Sequence, residues 1–129
     1  MQLKLELLAP AKNRDIGIAA ITCGADAVYI AGPSFGAREA AGNSLSEIAE
    51  LVEFAHKFGA KVYMTINTIV YDNELRALQN QIDEAYKIGI DAFIVQDLGV
   101  LKLNLPPIPL FASTQTNIRT PEQARMLES

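Results

Sequence analysis

The sequence contains one cysteine and one histidine in 129 residues, and only 7% of it is aromatic. The lone thiol, Cys23, excludes an internal disulfide framework and any metal site built from several thiolates. No apolar stretch approaches the roughly 20 residues that a membrane span needs. Nor does a basic start lead into an apolar run with a small-residue cleavage site. Positive charge is not in excess either. Eleven Lys and Arg against fifteen Asp and Glu leave a formal charge of −4, which argues against a large nucleic-acid footprint on this stretch alone. What is there is ordinary: half the residues are apolar and a fifth charged. The expectation is a single soluble, cytoplasmic α/β domain over residues 1–129, with one core.

Short β-rich runs alternate with helical patterns in five units. The expected strands are Leu5–Leu8, Ala27–Ala31, Lys61–Ile66, Ala92–Val95 and Leu110–Ser113, and the helices 13–23, 45–58, 73–88, 98–103 and 121–128. Ser44 and Glu47 form an S-x-x-E capping box ahead of the apolar face Leu45, Ile48, Ala49, Val52 and Ala55. Thr120-Pro121-Glu122-Gln123 opens the last helix with a cap, a first-turn proline and a closing glutamine. Asp72 is expected to cap the third helix and Asp97 the fourth. Gly24-Ala25-Asp26-Ala27-Val28-Tyr29-Ile30 and Gly89-Ile90-Asp91-Ala92-Phe93-Ile94-Val95 echo each other, and Gly59-Ala60-Lys61-Val62-Tyr63 is a looser copy. Shared helix-stop punctuation explains the echo better than duplication, and it implies parallel strands with right-handed crossovers.

Five such units fit a flavodoxin-like open sheet, or slightly more than half of a barrel that typically needs about 250 residues. Side-chain parity favours the partial (β/α) TIM-like barrel. Val62, Met64 and Ile66 share one face of their strand, whereas Tyr63, Thr65 and Asn67 share the other. Phe111, Ser113 and Gln115 line up likewise, Glu6 interrupts Leu5 and Leu7, and Gln96 follows Val95. Four strands thus turn one face polar toward their C-terminal ends. An open sheet covered on both sides would bury those groups at about 1–3 kcal/mol each when unpaired, whereas a barrel lumen accommodates them. Glu6, Thr65, Asn67, Ser113 and Gln115 are therefore expected toward the lumen, and Leu5 and Leu7 toward the helices.

No hydrolytic constellation is visible. His56, late in the second helix beside Lys57, reads as a surface residue. Cys23 continues the stripe Ile16, Ala19, Ala20 and reads as a small buried hydrophobe. Glu6 is either a structural carboxylate paired with a lysine or arginine, or a group that orients substrate or accepts a proton. Asn67, Gln96 and Gln115 place amides at three strand ends, a set able to read a base edge or a small carboxylate. Arg38 lies in the long loop Gly32–Asn43. It is either a bidentate phosphate or carboxylate contact or a solvated arginine. With three glycines and a proline, that loop reads as a binding loop, but it carries no nucleotide-loop motif.

Several segments together resemble one family. They are Glu6-Leu7-Leu8-Ala9-Pro10-Ala11, the Gly24–Tyr29 run, Phe35-Gly36-Ala37-Arg38 with Ala41-Gly42-Asn43, Gly59–Tyr63 leading to Asn67-Thr68, Val95-Gln96-Asp97, and Ala112-Ser113-Thr114-Gln115. In order and spacing they are similar to the N-terminal part of the collagenase-like peptidase family, peptidases of unknown catalytic type. Lys12 departs from the glycine that many members carry after Ala-Pro-Ala. The resemblance implies a barrel-like N-terminal domain of a longer protein, either an RNA-modifying enzyme of the base-hydroxylating kind or a genuine peptidase acting on collagen-like chains. A non-catalytic binding scaffold is the third alternative. Prephenate as co-substrate, or an iron–sulfur cluster, is implied for the parent protein, while this segment, with one cysteine and one histidine, is expected to hold no cofactor or metal. The implied partners are RNA (tRNA or rRNA) or a peptide, and no membrane. Open barrel edges also suggest self-association.

Overall fold

The computed structural model describes residues 4–37 and 42–128. Five strands, β1 (Leu8–Ala11), β2 (Ala27–Ala31), β3 (Lys61–Ile66), β4 (Ala92–Val95) and β5 (Leu110–Ala112), form one sheet in the order β1-β2-β3-β4-β5. Every pairing is parallel. Four α-helices alternate with them, α1 (Arg14–Thr22), α2 (Leu45–Lys57), α3 (Leu75–Lys87) and α4 (Pro121–Glu128), while a 3₁₀ turn at Leu98–Lys102 takes the place of a helix between β4 and β5. Strand order decides the architecture. Right-handed crossovers that always step to the next strand in one direction put every helix on the same side of the sheet, which is barrel winding; an open doubly wound sheet reverses direction. The fold is therefore a partial βα barrel.

The core follows from that winding. Val28 and Ile30, Val62, Met64 and Ile66, and Phe93 are buried against Ile48, Leu51, Val52 and Ala55 of α2 and Leu78, Ile82 and Ala85 of α3. The opposite face gathers only strand residues, Ala27, Tyr29, Tyr63, Ala92 and Ile94. The parity expected for β3 is thus observed.

The three echoed segments are three copies of one helix stop. Gly24, Gly59 and Gly89 all have positive φ, and in each the next residue's N–H reaches back to the last helical turn: Ala25 to Ala20, Ala60 to Ala55, Ile90 to Ala85. That is the Schellman closure, and glycine accepts its left-handed backbone without a Cβ penalty. The aspartate two positions on has a further task. Asp26 Oδ2 accepts the Leu7 N–H at 2.8 Å, and Asp91 Oδ2 accepts the Val62 N–H at 2.8 Å. Each carboxylate ties a strand's start to the strand before it, which fixes the register.

Several expectations are corrected. β1 begins at Leu8, not Leu5, because pairing with β2 runs from Leu8↔Ala27 to Ala11↔Ile30. Pro10 sits inside the strand, tolerated because β1 is an edge. Leu5 and Leu7 do not meet the helices; they are 87% and 60% exposed. Cys23 is exposed rather than buried, since α1 ends at Thr22 and the buried residues of that helix are Gly17 and Ile21. Asp72 does not cap α3: it lies inside a 3₁₀ turn, Asp72–Glu74, whose entry is held by Tyr71 N–H donating to Glu74 Oε2 at 2.9 Å. Ser113 falls just past β5, and the fourth helical segment is 3₁₀, not α. Asp97 does cap it, accepting the Gly99 N–H at 2.8 Å. At α4, Thr120 Oγ1 accepts the Gln123 N–H and Gln123 Oε1 accepts the Thr120 N–H, a complete capping box.

Candidate functional site

The face left open by the helices holds a cleft of about 890 Å³ at the C-terminal ends of the strands. Its walls are Leu8 and Pro10 of β1, Tyr29 and Ala31 of β2, Ile94 of β4, and Ile16 of α1. Lys12, Thr65, Asn67, Ser113, Thr114 and Gln115 supply its polar lining. An apolar cleft of this size with a few convergent polar groups is the usual form of a small-ligand site. A second hollow, about 450 Å³, lies among helical residues away from the strand ends. Its principal charges are already matched, Arg14 pairing with both Asp15 and Glu50.

The polar residues divide into those already engaged and those left free. Asn67 is engaged on both sides: Oδ1 accepts the Ala37 N–H at 2.9 Å, and Nδ2 donates to Ser113 Oγ at 3.4 Å. Ser113 Oγ also accepts the Gln115 N–H at 3.1 Å. Asn67 therefore joins the loop after β2, the end of β3 and the turn after β5. That loop has further tethers. Thr68 Oγ1 donates to the Phe35 carbonyl and Gln81 Nε2 to the Ser34 carbonyl. Asn43, 4% exposed, donates from Nδ2 to the carbonyls of both Lys12 and Ala31 at 3.0 Å. Phe35 is buried with φ 64, a left-handed backbone that costs a bulky residue energy and persists only where its surroundings hold it.

Of the residues expected at the site, Asn67 and Gln115 line the cleft, Gln115 from a 3₁₀ turn (Thr114–Thr116) and not from the strand itself. Gln96 is half-buried and does not line it. Glu6 reaches the same face of the sheet but lower, where both carboxylate oxygens accept from the Tyr63 hydroxyl at 2.8 and 3.0 Å. Its partner is a phenol and not the expected lysine or arginine. Burial, and then this bond to Glu6, push the Tyr63 phenol well above its ordinary pKa. Phe111 packs edge-on against the Tyr63 ring at 5.3 Å. Arg38 lies outside the described residues. His56 is on the surface, as expected, and its Nε2 lies 2.9 Å from Asp91 Oδ2. Sequence reasoning missed the tethering roles of Asn43 and Gln81; the position of Gln81 beside Leu78, Ile82 and Ala85 on the apolar face of α3 was the one available signal. It also missed Tyr63 as Glu6's partner, although parity had put that residue on the lumen face.

The sequence profile of peptidase family U32 matches residues 12–129. The chain belongs to peptidase family U32. Among curated U32-like relatives, the 23S rRNA 5-hydroxycytidine synthase of Escherichia coli is 57% identical over 124 residues, 96% of this chain and 19% of that protein. The tRNA hydroxylation protein P of Helicobacter pylori is 39% identical over 89% of the chain and 28% of its own length. A collagenase of Porphyromonas gingivalis is 33% identical over 93% of the chain and 30% of its own length. This U32 chain therefore spans between about a fifth and a third of these relatives. A solved U32 peptidase superposes with a TM-score of 0.69 at 15% identity, covering 99% of this chain and 57% of that one. An aldolase of Desulfitobacterium hafniense follows at 0.51 and 16%, covering 95% of this chain and 48% of that one; these likenesses bear on the fold alone.

Proposed function

We propose that this chain forms part of the substrate-binding barrel of an enzyme that hydroxylates a pyrimidine base in RNA, with a ribosomal cytidine as the target. The observation that carries the reading is the 57% identity to an rRNA 5-hydroxycytidine synthase, against 33% to a relative named as a collagenase. The cleft's chemistry is in keeping with it. Apolar walls and an amide-and-hydroxyl lining suit a planar base, and the chain's share of the work is to bind and orient. The rival reading, peptide hydrolysis, rests on the collagenase relative and the family's name. It finds little support among the described residues: Ser113 Oγ is taken up by Asn67 and the Gln115 N–H, and His56 and Cys23 lie outside the cleft.

An iron–sulfur cluster takes about four protein ligands, and one cysteine and one histidine do not fit it. A cluster thus enters this reading only with ligands from outside these 129 residues, and prephenate enters it as the co-substrate that the family resemblance implies for the parent protein. On this reading the protein works in the cytoplasm, in keeping with the rRNA and tRNA hydroxylation relatives. Among the described residues no helix is long and apolar enough to cross a membrane. The sheet's outer strands, β1 and β5, each pair on one side only. We read them as edges through which copies of this 129-residue chain self-associate.

The deciding experiment supplies the intact protein to cells lacking their own rRNA cytidine hydroxylase and measures rRNA nucleosides by mass spectrometry. The expected outcome is a cytidine heavier by one oxygen atom, with no gelatin cleavage by the purified protein. Gelatin cleavage with unmodified rRNA overturns the reading.

A further inference from the structure

The geometry points to a subsite for one extruded pyrimidine nucleotide in the cleft, with Lys12 on its phosphate and Thr65 and Gln115 on the polar edge of its base; this rests on the RNA reading above. The fold leaves several polar groups of the cleft unused. Thr65 is 8% exposed, it lines the cleft, and its hydroxyl forms no hydrogen bond to any described residue. No buried side-chain oxygen or nitrogen among the described residues lacks a partner, so the unbonded Thr65 hydroxyl opens into the cleft, where it can bond a group that enters. Gln115 spends its backbone N–H on Ser113 but keeps its side-chain amide, a paired donor and acceptor, unbonded to any described residue. An amide of that kind matches the donor–acceptor edge of a pyrimidine.

Lys12 differs from the other charged residues of α1 and its entry. Its carbonyl is fixed by the buried Asn43, while its ammonium pairs with no described carboxylate. By contrast, Arg14, two residues on, is consumed by Asp15 and Glu50. Lys12 also immediately precedes Asn13, the N-cap of α1, where the helix dipole adds to its positive potential and Asp15 in the first turn subtracts from it. A held backbone with an unpaired cation on the rim, over a cleft walled by Tyr29, Pro10 and Ile94, is arranged for a planar apolar body with a charged end. A nucleotide turned out of its stack has that form, and a base must leave the stack before an enzyme can act on it. Asn67 and Ser113, bonded to each other and to the loops they join, position this wall.

The test is calorimetric binding to the intact protein of cytidine 5′-monophosphate, cytidine, and a short single-stranded RNA centred on a cytidine. Lys12→Met alters an exposed side chain and Thr65→Val keeps the shape of its own, so both variants retain the fold. Lys12→Met is expected to weaken the monophosphate about tenfold and cytidine less than about twofold, because only one of them carries the phosphate. Thr65→Val is expected to weaken both about fivefold. The RNA is expected to bind at least as tightly as the monophosphate. Equal losses for the two small ligands in Lys12→Met, no loss in Thr65→Val, or RNA that fails to bind where the free nucleotide does, overturns the subsite. If rRNA is hydroxylated while these variants bind normally, the subsite alone is wrong. If rRNA is not hydroxylated, the reading beneath it fails.

Discussion

At the scale of single residues, the Tyr63–Glu6 pair shows how the lumen face is stabilised and how it responds to pH. Tyr63 is nearly buried, and its hydroxyl is bonded to the carboxylate of a residue fifty-seven positions earlier. Because its phenol is held protonated in the folded state, folded chains bind one more proton than unfolded ones above about pH 10, where a free phenol ionises. Stability contributed by this pair is therefore fully present below that pH and declines as the pH rises beyond it. Tyr63→Phe is expected to cost about 1 kcal/mol at neutral pH through the lost bond. It is also expected to flatten the alkaline decline, since phenylalanine has no proton to lose. Urea midpoints of both proteins at neutral and alkaline pH check this; parallel declines would contradict it. Glu6 reaches the lumen face as expected, although the alternation that put it there lies ahead of β1 and not within it. Its partner was not legible in the sequence, because Tyr63 read equally well as apolar filling.

At the scale of elements, β2, β3 and β4 fall on their expected bounds, and two of the helices were legible from their caps. α2 and α4 begin where the Ser44 and Thr120 caps predicted, because capping is decided by residues three positions apart and needs no tertiary information. β1 and α1 were less legible for a shared reason: tertiary contacts overrode local pattern. The alternation Leu5-Glu6-Leu7 looks like a strand, yet the ladder with β2 lies over Leu8–Ala11, which contains a proline. The stripe through Cys23 looks like a buried face, yet α1 turns Gly17 toward α2. A Cβ at Gly17 would lie 2.8 Å from both terminal methyls of Leu51, itself fully buried. Gly17→Ala gains helix propensity of about 1 kcal/mol but must displace Leu51 in a filled core, an overpacking cost of about 1–3 kcal/mol. The net expectation is a loss of about 1 kcal/mol. Adding Leu51→Val, which withdraws a methyl from the clash, should give a double mutant more stable than the sum of the two single changes predicts. Thermal or urea melts of the four proteins check the cycle; simple additivity would contradict the contact.

At the scale of the whole molecule, the βα alternation was legible, and the lumen face was legible from β3 because parity there is undisturbed by proline or glycine. The division of the cleft's polar groups was not, since whether Asn67 serves substrate or scaffold depends on Ala37 and Ser113, thirty and forty-six residues away. The winding also predicts how stability is distributed. β3 is paired on both sides, and Val62, Met64 and Ile66 are fully covered. β1 and β5 are edges, and β5 is only three residues long. α4 has no buried residue in its eight, so its capping box holds a helix too short to persist on local bonds alone. Amide hydrogen exchange on the 129-residue chain is accordingly expected to be slowest in β3, faster in β1 and β5, and fastest in α4. If the open edges meet in pairs of molecules, protection in β1 and β5 should rise with protein concentration while that in β3 stays constant. Edge protection independent of concentration would contradict self-association, and uniform protection across the sheet would contradict the gradient itself.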